Sequence, residues 1–126
     1  PFVHVFGRSN FALSFYGANV YPENVAVGIE QPELLAVLSG KFVMQIQLDA
    51  DQNPTLDIAV ELLPGKSSSD ALTDDVTVSI QRELERLNSE FLNYAPAERR
   101  RPRVRLLQHA DPAYFPVGVK HRYTRP

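Results

Sequence analysis

The chain is 126 residues long, with 44% hydrophobic and 22% charged side chains and a formal charge of −2, the makeup of a single soluble domain able to bury its own core. It contains no cysteine, which excludes disulfide scaffolds, thiolate metal sites and cysteine nucleophiles. No apolar run approaches the roughly 18–20 residues of a membrane span, and the opening Pro1-Phe2-Val3 has neither a methionine nor a basic, apolar leader, so the sequence reads as a piece of a longer polypeptide.

Phe2 to Phe6 is a short apolar run closed by Gly7, and Phe11, Leu13 and Phe15 alternate with Ala12, Ser14 and Tyr16. Both segments read as strands, joined through the turn-rich Gly7-Arg8-Ser9-Asn10 into an N-terminal hairpin. Gly17 stops the second strand, and Ala18 to Tyr21 resumes extended chain. Pro22-Glu23-Asn24 opens a short helix, because proline sacrifices no hydrogen bond in the first turn and Glu23 favours the positive end of the helix dipole. Val25 and Ile29, with Val27, are its candidate core residues, and Pro32 ends or kinks it. A second helical piece runs from Pro32 to Leu38 and stops at Gly40.

The middle of the chain has the clearest pattern. Phe42, Met44, Ile46 and Leu48 alternate with polar or smaller residues, as do Leu56, Ile58, Val60 and Leu62. The turn-forming Ala50 to Pro54 lies between them. This predicts antiparallel partners over 41–49 and 55–62, with one apolar face and one wet face. Pro64 to Ser69 reads as a flexible connector. Thr73 reads as a helix cap with Asp74 and Asp75 in the first turn. Val76, Ile80, Leu84, Leu87 and Phe91 then recur at helical spacing, which predicts one helix of about 20 residues, with Arg86 and Glu90 as an i,i+4 pair on its polar side. Arg103 to Leu107 reads as a last strand, and 109–126 as a loop and tail.

From Val20 to Leu107 the order is βαββαβ. The fold class is therefore α+β: an N-terminal β hairpin followed by a ferredoxin-like βαββαβ domain, whose two helices cover one face of a largely antiparallel sheet. One domain spans 1–126.

Charge is unevenly laid out. Residues 1–98 carry 5 basic and 14 acidic side chains, whereas residues 99–126 carry 8 basic and 1 acidic. A basic end can meet phosphates or an acidic neighbour, or simply be a solvated cluster. His4, His109 and His121 lack partners at metal-ligand spacing, and Asp111 beside His109 is a weak pair; no metal site is expected. Asp49 with Asp51, and Asp74 with Asp75, are explained by a turn and a helix start. Gly65-Lys66-Ser67 resembles the end of a phosphate-binding loop, but Val60 stands where the first glycine belongs. Tyr114, Phe115, Lys120, Arg122, Tyr123 and Arg125 interleave bases and aromatics, as a strand-binding tail would. No base-stacking pair stands on the exposed face of the central hairpin, so no nucleic-acid partner is expected.

One motif points further. Gly7-Arg8-Ser9-Asn10, then Phe15-Tyr16-Gly17-Ala18-Asn19-Val20-Tyr21-Pro22-Glu23-Asn24-Val25, resembles the opening of the C-terminal domain of adenylate-forming acyl- and aryl-CoA ligases. The branch it resembles is that of phenylacetate–CoA ligase, whose pattern runs Gly-Arg-x-Asp, then Gly-x-Asn-Val-Phe-Pro and an apolar helix. Gly118-Val119-Lys120 falls where that family carries a lysine-bearing loop.

The resemblance implies a mobile lid domain of a larger AMP-forming ligase. Such enzymes join a small carboxylic acid to AMP with release of pyrophosphate, then rotate this domain and pass the acyl group to coenzyme A. ATP, accompanied by Mg²⁺ in the large domain, and coenzyme A are implied as substrates of the full-length enzyme. None of them is expected to be bound by this chain alone, which is expected to be inactive in isolation. The implied partner is the N-terminal adenylation domain of the same polypeptide, the implied compartment is the cytoplasm, and no membrane partner is implied.

Carried over residue by residue, the resemblance makes Arg8 and Asn10 the domain junction and hinge, with Asn10 an amide where the family has aspartate. It makes Gly17 the glycine beside which the pantetheine arm passes. It makes Lys120 the catalytic lysine on the acyl phosphate, although Val119 separates it from Gly118 where the family sets glycine directly before lysine. Two other readings stand beside it. One is a stand-alone ferredoxin-like interaction or regulatory module without catalysis. The other is a ligase-like protein that hands its adenylate to an acceptor other than coenzyme A.

Overall fold

In the computed structural model, residues 12–126 are described. The expected strand over Phe2 to Phe6, and Arg8 and Asn10 with it, lie outside the described residues. The hairpin that is described pairs β1 (Leu13–Phe15) with β2 (Ala18–Val20) in antiparallel register, Leu13 opposite Val20 and Phe15 opposite Ala18. Its two-residue turn is Tyr16-Gly17, both with positive φ, 53° and 83°. That is the backbone of a type I′ turn, whose twist matches that of the flanking strands, and it explains why glycine stands at the second position.

Helix α1 (Pro22–Ile29) begins with proline at its first position, as expected, and buries Val25 and Ile29, while Val27 is only half-buried. A single helical turn, α2 (Pro32–Leu35), follows. The chain then enters β3 (Leu38–Leu48) at Leu38, earlier than expected, with an irregularity between Leu38 and Phe42 where Gly40 has φ 99°. β3 pairs antiparallel with β4 (Pro54–Leu62), as expected, with Phe42 opposite Val60, Met44 opposite Ile58 and Ile46 opposite Leu56. Phe42, Met44, Ile58 and Val60 lie on one face and are fully buried beneath the helices, whereas Leu48 at the strand end is exposed.

The long helix departs from expectation at both ends. α3 (Asp70–Leu87) is capped by Ser69, whose Oγ accepts from the Leu72 N–H, not by Thr73, which lies inside the helix. Its stripe of Val76, Ile80 and Leu84 is fully buried, but Leu87 is exposed because the helix stops there. Asn88, with φ −123° and ψ 98°, breaks the helix and caps a second one, α4 (Ser89–Tyr94), which brings Phe91 into the core from a new direction. The break also separates Arg86 from Glu90: Arg86 pairs with Glu83, and Glu90 accepts from the Asn19 N–H.

A 3₁₀ turn (Ala97–Arg99) leads into β5 (Arg103–Leu107). The segment expected as loop from 109 onwards ends in a short strand, β6 (Thr124–Arg125). The four-stranded sheet has the order β5-β4-β3-β6. Its central pair is antiparallel, but β5 runs parallel to β4 and β6 parallel to β3, so the pairing is mixed. From β2 to β5 the order is βαββαβ, with the first strand held in the separate hairpin, and the architecture is broadly ferredoxin-like.

Two cores result. The main one lies between the sheet and α1, α3 and α4, and the hairpin closes it with Phe15, whose ring stacks on Phe91 at 6.0 Å. The second lies on the other face of the sheet, where the 108–123 segment folds back and buries Phe115 against Val43 and Ala59. The face expected to be wet is thus partly covered.

Candidate functional site

The sequence-derived candidates within the described residues are Gly17 and Lys120. Gly17 sits at the hairpin tip, and a Cβ built there would meet nothing within 4 Å. The glycine is required by its backbone, and its surroundings are open. Beside it, Tyr16 lies within electrostatic reach of Arg99, whose guanidinium bonds Asp49 at 3.0 Å. The Asp49 bond holds Arg99 above its ordinary pKa. Asp49 in turn is held below the usual carboxylate range, first by the Asn53 N–H, with Arg99 and the Asp51 N–H adding to it against the cost of burial. The hairpin tip thus belongs to the end of the sheet where β3 turns into β4.

Lys120 is carried by the tail, which meets β3 near Phe42. The tail is fixed first by Glu61, a fully buried carboxylate on β4. Glu61 accepts from Ser39 Oγ at 2.6 Å and from the Ala110 N–H at 2.7 Å, and His109 Nδ1 lies 3.5 Å away. The chain then turns through Asp111, whose carboxylate accepts from the Ala113 and Tyr114 N–H groups, and seats Phe115 in the second core. After the exposed Val117-Gly118-Val119 tip, with Gly118 at φ 85°, it runs beside the middle of β3.

His121 anchors this last stretch. Its ring stacks on Phe115 at 5.5 Å and meets Tyr123 edge-on at 4.5 Å, and Nε2 donates to the Phe42 carbonyl at 2.8 Å. Burial lowers the His121 pKa, with Lys41 and Arg125 pushing the same way; the Phe42 bond and Glu61 oppose them in part. The Met44 N–H donates to the Tyr123 carbonyl, and β6 follows.

Lys120 and Arg122 flank the inward-facing His121 and are both exposed. They line one groove with Val43, Tyr114, Thr124 and Arg125. Counted along β3, Phe42 and Asp49 are roughly 23 Å apart at about 3.3 Å per residue, so Gly17 and Lys120 are tied to different stretches of the sheet.

Of the other residues weighed from the sequence, Asp49 and Asp74 are held by arginines. Arg101 pairs with the Asp74 carboxylate, and Ser69 is a helix cap. Among the described residues no group of three or more His, Asp or Glu side chains could hold a metal ion, and no helix is long and apolar enough to cross a membrane. Sequence reasoning missed the Glu61 anchor and Arg122. Glu61 was hidden because it occupies an outward position of an alternating strand, and only the returning tail buries it. Arg122 was visible as one of several tail bases, but its neighbours were not.

Neither a protein-family model nor a curated protein matches the sequence. Solved structures do match the fold. A domain of phenylacetate-coenzyme A ligase from Bacteroides vulgatus aligns over 90% of this chain and 90% of that one, with a TM-score of 0.53 and 16% identity. An acyl-CoA synthetase from Brucella canis aligns over 84% of this chain but only 16% of its own length, with a TM-score of 0.52 and 15% identity. The chain therefore has the fold of this ligase domain, reached through a largely different sequence.

Proposed function

We propose that the chain is the small C-terminal domain of an adenylate-forming acyl- or aryl-CoA ligase of the phenylacetate type, spanning 1–126 as one unit and working against an N-terminal adenylation domain of the same polypeptide. The observation that carries this reading is the shared fold over 90% of both this chain and the phenylacetate-coenzyme A ligase domain. The whole enzyme would use ATP with Mg²⁺, a small carboxylic acid and coenzyme A, in the cytoplasm. This chain by itself would perform neither half-reaction.

The separation of the two candidates supports a domain that presents different ends in turn. Lys120 stands on an exposed, cationic tail segment, and an ammonium there suits the charge that develops on an acyl phosphate during adenylation. Gly17 stands at an open hairpin tip on the side of the β3–β4 turn, where a pantetheine arm can pass close to backbone. Arg8 and Asn10, just before the hairpin, are the proposed junction and hinge.

The test is kinetic, in the ligase that carries this domain. Lys120→Ala should depress acid-dependent pyrophosphate exchange about a hundredfold, the scale of removing one transition-state charge contact, and spare coenzyme A consumption from preformed acyl adenylate. Unchanged exchange would remove Lys120 from the machinery. Pyrophosphate release by the 126-residue chain alone, with ATP and carboxylic acids, would overturn the assignment of a partner-dependent domain.

A further inference from the structure

Arg122 is the exception among the arginines of the described residues. Arg82 and Arg86 pair with Glu83, Arg99 with Asp49, Arg100 with Glu85, Arg101 with Asp74 and Arg103 with Asp57. Arg105 bonds the Tyr114 hydroxyl, and Arg125 lies over the Tyr114 ring at 4.0 Å and donates to the Ala113 carbonyl. Among the described residues Arg122 alone of the arginines has no partner, and Lys120, two positions before it, has none either.

No aspartate or glutamate lines the groove that these two cations border, and the carboxylates of β4 and of the Asp111 turn are already committed. Glu61 holds Ser39 and Ala110, Asp57 holds Thr55 and Arg103, and Asp111 holds its own turn. The groove also offers the Thr124 side chain and the edge of Tyr114. His121 fixes the backbone between the two cations through Phe42 and Phe115, so their spacing is set by the fold. Uncompensated positive charge on a braced segment, with no aspartate or glutamate in the groove, suits an external anion. Arg offers a planar pair of donors and Lys a point charge, a combination suited to the oxygens of adjacent phosphates.

We propose that Lys120 and Arg122 form a two-cation clamp for a diphosphate group, with Arg122 the second binding residue. The inference deepens the reading of Lys120 above and assigns the groove a ligand class: a diphosphate, free or esterified.

The test is a titration of the 126-residue chain with inorganic pyrophosphate, followed by the amide resonances of Gly118 to Thr124 and repeated with orthophosphate. ATP and coenzyme A serve as separate arms that distinguish the two diphosphate esters. Saturable shifts confined to this segment are expected, tighter for pyrophosphate than for orthophosphate. Lys120→Gln and Arg122→Gln should each weaken binding about five- to tenfold, a modest loss because the charges are exposed and screened. Arg122→Lys should recover part of the loss, and Lys66→Gln, on the connector outside the groove, should leave the response of this segment unchanged. Equal binding by Arg122→Gln and the unmodified chain, or equal loss with Lys66→Gln, overturns the clamp.

The ligase reading fails separately. If binding depends on Arg122 while pyrophosphate exchange in the larger protein ignores Lys120→Ala, the clamp stands and the adenylation role falls. If exchange needs Lys120 but neither binding nor exchange responds to Arg122→Gln, the clamp falls and the adenylation role stands.

Discussion

Asn88 Nδ2 donates to the main-chain carbonyl of Asn19 at 2.8 Å, across 69 positions of sequence. The same amide donates to Asn24 Oδ1 at 3.0 Å, and Asn88 Oδ1 accepts from the Phe91 N–H at 2.9 Å. One buried side chain therefore ties the hairpin to the start of α1 and to the break between α3 and α4. Asn88→Ala would leave the part-buried Asn19 carbonyl and the buried Phe91 N–H without these partners. That should cost about 2–3 kcal/mol, read as a lower urea midpoint with unchanged slope. A loss under about 0.5 kcal/mol would show that water replaces the amide.

Gly28 governs how closely α1 and α3 approach. A Cβ there would stand 2.7 Å from Ile80 Cα, and Ser79 Oγ donates to the Gly28 carbonyl at 2.6 Å. The obstacle is backbone, which cannot swing aside as a side chain does. Gly28→Ala should therefore destabilise by about 1–3 kcal/mol through overpacking, despite alanine's better helix propensity. Thermal unfolding of the two proteins checks it, and a rise in Tm would mean that the helices separate without penalty.

His121 makes stability depend on pH in a definite direction. Burial lowers its folded pKa below the unfolded value, which is about 6.5. Between the two values the unfolded chain binds the proton more readily, so stability rises with pH in that window. The contribution is complete above about 6.5 and is lost as pH falls through that value towards the folded pKa. Protonation would also set an imidazolium near Lys41 and Arg125, while Glu61 offsets part of that repulsion. Titration of the His121 ring resonances in the folded protein should give a midpoint below 6.5; a midpoint at or above it would contradict the burial argument.

Gly17 separates a structural cost from a functional one. Its φ of 83° disfavours any side chain, yet the space around it is empty. Gly17→Leu should cost about 1–2 kcal/mol of folding stability and, in the ligase, slow thioester formation while sparing adenylation, the reverse of Lys120→Ala. Comparing the two half-reactions at a temperature where both variants are folded keeps the effects apart. Equal loss in both half-reactions would reduce Gly17 to a turn residue.

The central strands were legible because a period of two fixes which residues share a face, and Phe42, Met44, Ile58 and Val60 do share the buried one. The end of the long helix was not. Phe91 sits at helical spacing from Leu84, so periodicity runs straight through Asn88, and only the bonds to Asn19 and Asn24 favour breaking there. The helix start was missed because Ser69 lies in a serine run that reads as connector, although Ser followed by Asp70 is itself a capping signal. The tail was misread for a different reason. Its order comes from Glu61, Phe42 and Val43, more than 45 positions away in sequence, and no local pattern records such contacts. Gly17 and Lys120 were found by resemblance to a motif, whereas the unpaired state of Arg122 became visible only after the other arginines were matched.

The parallel seam between β6 and β3 has a bearing on solubility. It spans two registered pairs, Met44 with Thr124 and Gln45 with Arg125, yet it lies along the outer side of a long, partly apolar strand. Unprotected strand edges invite pairing with other chains. The final residues thus act as a selvedge on the sheet: fraying them would bare main-chain donors and acceptors beside Val43 and Phe42, and the consequence to expect is self-association before unfolding.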